Sequence, residues 1–460
     1  MAPDRFLDTL QNRVKKFSLF SLAHVLHLDH AVVSAPAPPQ IFAFGKTHKP
    51  GQQIRPVVEK CRAPTFLLEK KLVKFVQNNL QAYPFSIKSS LQLVQKLEDV
   101  MLTDREIMTV MDFKFLYPSI KLPPCFYALR DFLFANVENS HKYHMHILEL
   151  ADLVCHSSFF EFDEKIYIQG RGVPMGSPMS AVLCEMVLRN LECDILLLFR
   201  NDMVIYTRYV DDIFILWADD RNIQHFIDVI NHNPYGLTVE LDQQSEFLVN
   251  FMDLSIACKE GEIRTSVYRK PVYHPLVIPS NSIDPGQFKM AAFRSWIRRA
   301  YTHCSSIQDT LKELAYIQKV AARHGYQRSV VDHLITKLQK NSRQRNDGNS
   351  QKAVVLSYMP FLNKVVKNVA REKNLRVIYK HNPTVYRLLR NDKRRDRSSE
   401  LTGVYSIPIK DHHFNTDIVY VGATLRNLKQ RIKEHKYSIS YGSDSTVLAT
   451  FARQQDITMH

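Results

Sequence analysis

The chain has 460 residues, 45% apolar and 23% charged, with 61 Lys and Arg against 46 Asp and Glu for a formal charge of +15. This is the composition of a folded protein. It excludes a disordered tail protein or a glycine-rich repeat, since only 13 residues are glycine. No apolar run approaches the ~18 residues that a membrane helix needs.

The N-terminal Met1-Ala2-Pro3-Asp4-Arg5 opens no signal-peptide pattern. Seven scattered cysteines, none in C-x-x-C spacing, indicate a reducing compartment and offer no cysteine zinc site. The positive charge is concentrated. Residues 286–400 hold 25 Lys and Arg against 8 Asp and Glu, so this quarter carries +17 and the remainder −2. An asymmetry over so long a stretch implies a polyanionic partner, nucleic acid or an acidic surface.

In chain order, residues 1–35 read as short helices with a Pro-rich exit. A basic turn with Lys46 and Lys49 leads to Ile54-Arg55-Pro56-Val57-Val58 and then a helical pattern. Residues 104–121 predict a strand ending in a polar turn, 126–160 a helix, 165–170 a strand and 177–199 a long helix. Residues 203–217 predict a β-hairpin, 222–232 a helix and 236–269 further strands with a turn at Gly261. Residues 286–340 are helical and basic, and 341–400 read as a basic connector bounded by Asn341–Ser350 and Asp392–Ser399. The last sixty residues predict two short strands and a basic helix.

The chemistry concentrates in three places. In Val204–Trp217, apolar runs flank the adjacent Asp211 and Asp212. Aspartate is a good turn residue, yet this turn has neither Gly nor Asn where φ must be positive. Two carboxylates beside apolar strands repel each other and are costly to desolvate, and a divalent cation relieves both effects. A third carboxylate, Asp112, closes the apolar run Thr109-Val110-Met111. It caps a turn or completes a two-metal site, with ions ~3.5–4 Å apart. Between these runs, Gly170, Gly172 and Gly176 fall within seven residues, in Gly170-Arg171-Gly172-Val173-Pro174-Met175-Gly176, followed by Ser177-Pro178. This is either an irregular loop ending in a Ser N-cap or a loop whose bare backbone admits a nucleotide or template base.

In this order and spacing the three elements resemble a reverse transcriptase palm. The resemblance implies Mg²⁺ or Mn²⁺ on Asp112, Asp211 and Asp212, with Asp212 assisting. It implies Tyr117 as the gate against a ribose 2′-hydroxyl and Arg55 as a contact of the triphosphate, helped by Lys46. It also implies a nucleotide- or template-facing loop at Gly172, Pro174, Gly176 and Ser177. Phe251–Leu254 and Val267–Pro271 resemble the primer-grip region.

Near the C-terminus, Gly403-Val404-Tyr405 and Tyr420-Val421-Gly422 precede Arg431 and His435, which lie four apart on one helical face. This combination resembles the GIY-YIG endonuclease fold. There Tyr405 or Tyr420 would help activate water, Arg431 would stabilise phosphorane charge, and His435 would assist. No glutamate follows His435, where that family holds its metal, so efficient DNA cleavage is not expected. A reverse transcriptase followed by such a module resembles the Penelope-like retroelements, whose polymerases are related to telomerase. Compared with that family, both ends look shortened.

The expected fold is α+β, a right-hand polymerase plus a small C-terminal α/β module. An N-terminal helical segment occupies 1–40, fingers and palm 41–285, and a basic helical, helix-turn-helix-like thumb 286–340. A connector at 341–400 leads to an incomplete nuclease module at 401–460. The expected activity is RNA-directed DNA synthesis by a nuclear retroelement enzyme, with an RNA template, a DNA primer or target and dNTPs, and no membrane partner. The alternative is a decayed or co-opted copy that only binds nucleic acid. Loss of the metal carboxylates would mark that copy, and they are present.

Overall fold

A computed structural model describes residues 9–15, 32–33, 36–45, 54–343, 352–380, 403–411, 416–424, 428–441, 446–454 and 457–459, apart from 99, 104, 138–140, 157, 164, 260 and 272–274. Lys46, Lys49, residues 344–350 and 392–399, and His412 and His413 lie outside the described residues. The chain divides into two units, Met1–Asn349 and Ser350–His460.

The first unit is built on an antiparallel sheet in the order β6-β7-β3-β8, with β3 Ile107–Phe113, β6 Met203–Tyr209, β7 Asp212–Trp217 and β8 Val239–Ser245. From Ile213 to Trp217, β7 is an unbroken apolar run, because both faces of the sheet are covered there. Its alternate residues divide between two cores. Ile213, Ile215 and Trp217 pack with helices α1 Phe66–Asn79, α3 Leu122–Asn136, α4 His141–His156 and α5 Pro178–Leu196. Phe214 and Leu216 pack with α2 Ser90–Leu97 and strands β9 Leu248–Phe251 and β10 Leu254–Lys259. The Trp217 indole is fully buried, and its N–H donates to Thr109 Oγ1 at 2.8 Å.

A second sheet runs β2-β1-β4-β5, from β1 Gln40–Gly45, β2 Ile54–Glu59, β4 Phe159–Phe162 and β5 Lys165–Ile168. The sequence reading carried a helix through residue 160. Instead, the helical stretch is two helices, and Phe159-Phe160-Glu161-Phe162 pairs antiparallel with β5. Alternation of Phe with Glu at this point is the strand signal that the neighbouring helical period masked.

Helix α6 Ile223–Asn231 follows β7, and β11 Glu262–Val267 pairs with β10. Three basic helices follow, α7 Ala291–His303, α8 Ile307–Arg323 and α9 Arg328–Arg343. They have their own core of Phe293, Ile297, Ala300, Leu314, Ile317, Ala321 and Val331. Polar contacts fasten them to the strand ends and to α2. Arg269 makes a bidentate pair with Glu313, Arg299 reaches Asp253 at 2.6 Å, and His303 Nε2 lies 3.2 Å from the Ser90 hydroxyl.

In the second unit, the sequence reading expected a connector where the structure has a β-α-β element. Strands β12 Ala353–Ser357 and β13 Arg376–Lys380 pair in parallel across helix α10 Asn363–Glu372. Short Val- and Ile-containing strands beside many Lys and Arg had read as basic linker, because charge outweighed a five-residue apolar pattern. Farther on, β14 Gly403–Asp411 pairs antiparallel with β15 Thr416–Thr424 and β16 Ile457–Met459, beside helices α11 Leu428–Ser440 and α12 Val447–Gln454.

Candidate active site

Asp112 is the penultimate residue of β3, and its ladder partners are Asp212 on β7 and Glu240 on β8. Asp211 lies in the two-residue turn Val210-Asp211 between the paired residues Tyr209 and Asp212. One carboxylate oxygen from each of Asp112, Asp211 and Asp212 lies within 4.8 Å of the others, and each residue is half-buried. Burial, with the charges of Asp211 and then Asp112, pushes the Asp212 carboxyl up to about 6. Three hard oxygen donors whose charges repel form a set that suits Mg²⁺ or Mn²⁺. Their mutual repulsion, seen in the raised Asp212 carboxyl, is what a divalent cation would relieve.

The turn bearing Asp211 is strained. Val210, β-branched, has φ of +56°, a left-handed conformation that a hairpin ordinarily assigns to glycine. Such a residue costs on the order of 1–3 kcal/mol and persists only where its surroundings hold it. Two hydrogen bonds do so. The Phe113 N–H donates to the Asp211 carbonyl at 3.0 Å, and Arg208 Nη1 donates to the Val210 carbonyl at 3.1 Å.

The glycine-containing loop is packed against the chain's own backbone. A Cβ on Gly172, at φ +74°, would fall 2.5 Å from the Pro118 carbonyl oxygen. One on Gly176, at φ +114°, would fall 2.2 Å from the Val58 oxygen. At Gly172 and Gly176 the close approach that the missing Cβ permits is to the chain's own backbone, and both residues are left-handed. Gly170 has open space around it. The Val173 N–H donates to the Tyr117 carbonyl, and Val58 N–H donates to the Met175 carbonyl. The loop thus ties the turn after β3 to β2.

Pro174 is buried, and its carbonyl accepts from Ser177 N–H and the Ser180 hydroxyl. Ser177 caps α5 through Met179 N–H, and its hydroxyl donates to Glu69 Oε2 at 2.5 Å. Glu69 is fully buried and also takes Lys60 Nζ at 2.6 Å and the Thr65 hydroxyl. Sequence reasoning missed this pair. The available signal was a carboxylate among the core positions Leu68, Leu72 and Val76 of α1.

Tyr117 lies partly buried beside the carboxylates. Burial first, then Cys184 and Asp211, raises its hydroxyl to about 12. Arg55 stands exposed on β2, opposite Phe44. The second unit holds Tyr405, Tyr420, Arg431 and His435 as a separate cluster. The Tyr405 hydroxyl lies 2.5 Å from His435 Nε2, and Arg431 Nη1 lies 2.9 Å from Glu434. The three rings are in mutual contact. Burial and the Arg431 charge hold the His435 imidazole below its ordinary range.

Residues 47–242 match the family model for reverse transcriptase (RNA-dependent DNA polymerase), and residues 276–336 match that of the animal helix-turn-helix domain. The chain thus carries a reverse transcriptase domain, with the three aspartates inside or on its sheet, followed by a helix-turn-helix domain. Among solved structures, it is similar to telomerase from Candida albicans in complex with a TWJ fragment of telomeric RNA. The identity is 14%, with 73% of this chain and 59% of that chain covered and a TM-score of 0.46. The Sicinivirus 3Dpol RNA-dependent RNA polymerase is 12% identical, with 68% and 71% covered and a TM-score of 0.43. No curated protein matches the chain. Among the described residues, no helix is long and apolar enough to cross a membrane.

Proposed function

We propose that the chain is an RNA-directed DNA polymerase of a Penelope-like retroelement, acting in the nucleus on an RNA template, a DNA primer or target and dNTPs. The observation that carries this reading is the convergence of Asp112, Asp211 and Asp212 within 4.8 Å inside a reverse transcriptase domain. These residues would hold the divalent ions. Bound there, such ions lower the pKa of an attacking 3′-hydroxyl and stabilise the leaving pyrophosphate. The chain's own groups bind and orient. Arg55 is assigned to the triphosphate, Tyr117 to screening the sugar, and the helices of 286–340 to the phosphates of the template–primer duplex. Residues 41–285 are read as fingers and palm.

The C-terminal module, residues 401–460, is read as a GIY-YIG nuclease module. Support comes from the contact of Tyr405 with His435 and from the packing of Tyr420 beside them. Arg431, on the same helix, is already paired with Glu434.

Primer extension on poly(rA)/oligo(dT) with Mg²⁺ tests the polymerase reading. Wild type extends, and Asp211→Ala loses at least a thousandfold in rate. A well-folded wild type that adds no nucleotide would sink it.

A further inference from the structure

Arg208 is one of the largest fully buried side chains of the molecule. Its guanidinium is spent on four contacts. Nε donates to Glu192 Oε1 at 2.5 Å and Nη2 to Glu192 Oε2 at 3.1 Å. Nη1 donates to Glu185 Oε2 at 3.0 Å and to the Val210 carbonyl at 3.1 Å. Both acids are on α5. Glu192, nearly inaccessible, also accepts the Tyr206 hydroxyl at 2.8 Å, and Glu185 is steadied by Arg189 Nε at 2.8 Å. The Arg208 backbone is held as well, with its N–H on Phe85 O at 2.7 Å and its carbonyl accepting from Ile87 N–H at 2.9 Å.

Burying an ion pair is a poor way to gain stability, because well-packed apolar side chains of the same volume do as well or better. What an arginine offers that an apolar residue lacks is a rigid planar fork with donors in two directions. Here the fork is anchored on one side by the two glutamates of α5. On the other it meets the carbonyl of Val210, the residue with the strained φ immediately before Asp211. The helix used as anchor is the one that Ser177 caps at the end of the glycine-containing loop.

We propose that Arg208 is a positioning residue for the metal carboxylates. Its fork, braced on Glu192 and Glu185, holds the Val210 carbonyl and so keeps the strained turn in the conformation that brings Asp211 to Asp112 and Asp212. The inference rests on the polymerase reading for its consequence, but its geometry concerns metal binding alone, so the two can fail separately.

The test compares full-length wild type, Arg208→Lys, and the paired variant Arg208→Met/Glu192→Gln, which removes the buried charges together while leaving an acceptor for Tyr206. Mn²⁺ binding is titrated by electron paramagnetic resonance without nucleic acid, beside the melting temperature. The paired variant should melt within a few degrees of wild type yet bind Mn²⁺ about tenfold more weakly. Its primer extension should lose kcat about tenfold with dNTP KM within twofold.

Adding Val210→Gly to the paired variant removes the need for a prop and should restore most of the Mn²⁺ affinity, a rescue that a purely structural pin would not show. If the paired variant fails to fold, Arg208→Lys, which keeps the charge and loses the fork, decides by the same Mn²⁺ measurement. Unchanged Mn²⁺ affinity in the folded variant overturns the inference, as does a wild type that binds no Mn²⁺. A wild type that binds Mn²⁺ but extends no primer sinks the polymerase reading and leaves this one standing on its own titration.

Discussion

Asp112 and Asp212 are direct partners across the β3–β7 ladder. Facing residues in an antiparallel pair have Cβ atoms only about 4.5–5.5 Å apart, and like charges so placed are destabilising. With Asp211 one residue away, the fold concentrates negative charge where its strands are most apolar.

That charge predicts a pH dependence. Asp212 loses its proton near 3.8 when unfolded and near 6 when folded. Between these values the folded state holds the extra proton, so stability falls as pH rises through the window, and the penalty is complete above pH 6. It amounts to on the order of 2–3 kcal/mol. Melting of the metal-free protein should therefore show Asp212→Asn raising the midpoint at pH 7.5 and not at pH 4. Mg²⁺ or Mn²⁺ should raise the wild-type midpoint more at pH 7.5 than at pH 5. A metal response equal at both pH values, or unaffected by Asp212→Asn, would contradict this assignment.

The loop glycines give a contrast within a few residues. Gly176→Ala and Gly172→Ala place a Cβ against backbone oxygens in left-handed conformations. Backbone strain alone costs on the order of 1–3 kcal/mol each, before the clash is relieved. Gly170→Ala meets nothing within 4 Å and should be nearly neutral. Denaturant midpoints of the three variants check this. Equal effects would mean that the loop does not pack on Pro118 and Val58 as described.

The C-terminal unit is expected to leave supercoiled plasmid intact in the presence of Mg²⁺. Arg431 is paired with Glu434 at 2.9 Å, so the cation that would stabilise phosphorane charge is already engaged. A nicking assay reads the result directly. Turnover that disappears in Arg431→Ala would reverse it.

Much of the candidate site was legible in the residues. Asp112, Asp211 and Asp212 stand out because carboxylates interrupt apolar strand patterns, and Tyr117 came through the resemblance to a reverse transcriptase palm. The turn was seen to lack Gly and Asn, but only the structure shows that Val210 takes the left-handed φ. The role of the glycines was not legible, because a scarce glycine looks the same whether a ligand or the chain's own carbonyl approaches it. The β-α-β element at Ala353–Lys380 was hidden by its charge.

The sequence by itself determined which carboxylates could share a metal and where the strands around them run, since periodicity and carboxylate spacing are local properties. Tertiary structure alone decided which buried charges meet. Lys60 with Glu69, and Arg208 with Glu192 and Glu185, come from separate elements whose pairing depends on how the helices pack on the sheets. No local pattern encodes a partner across that interface.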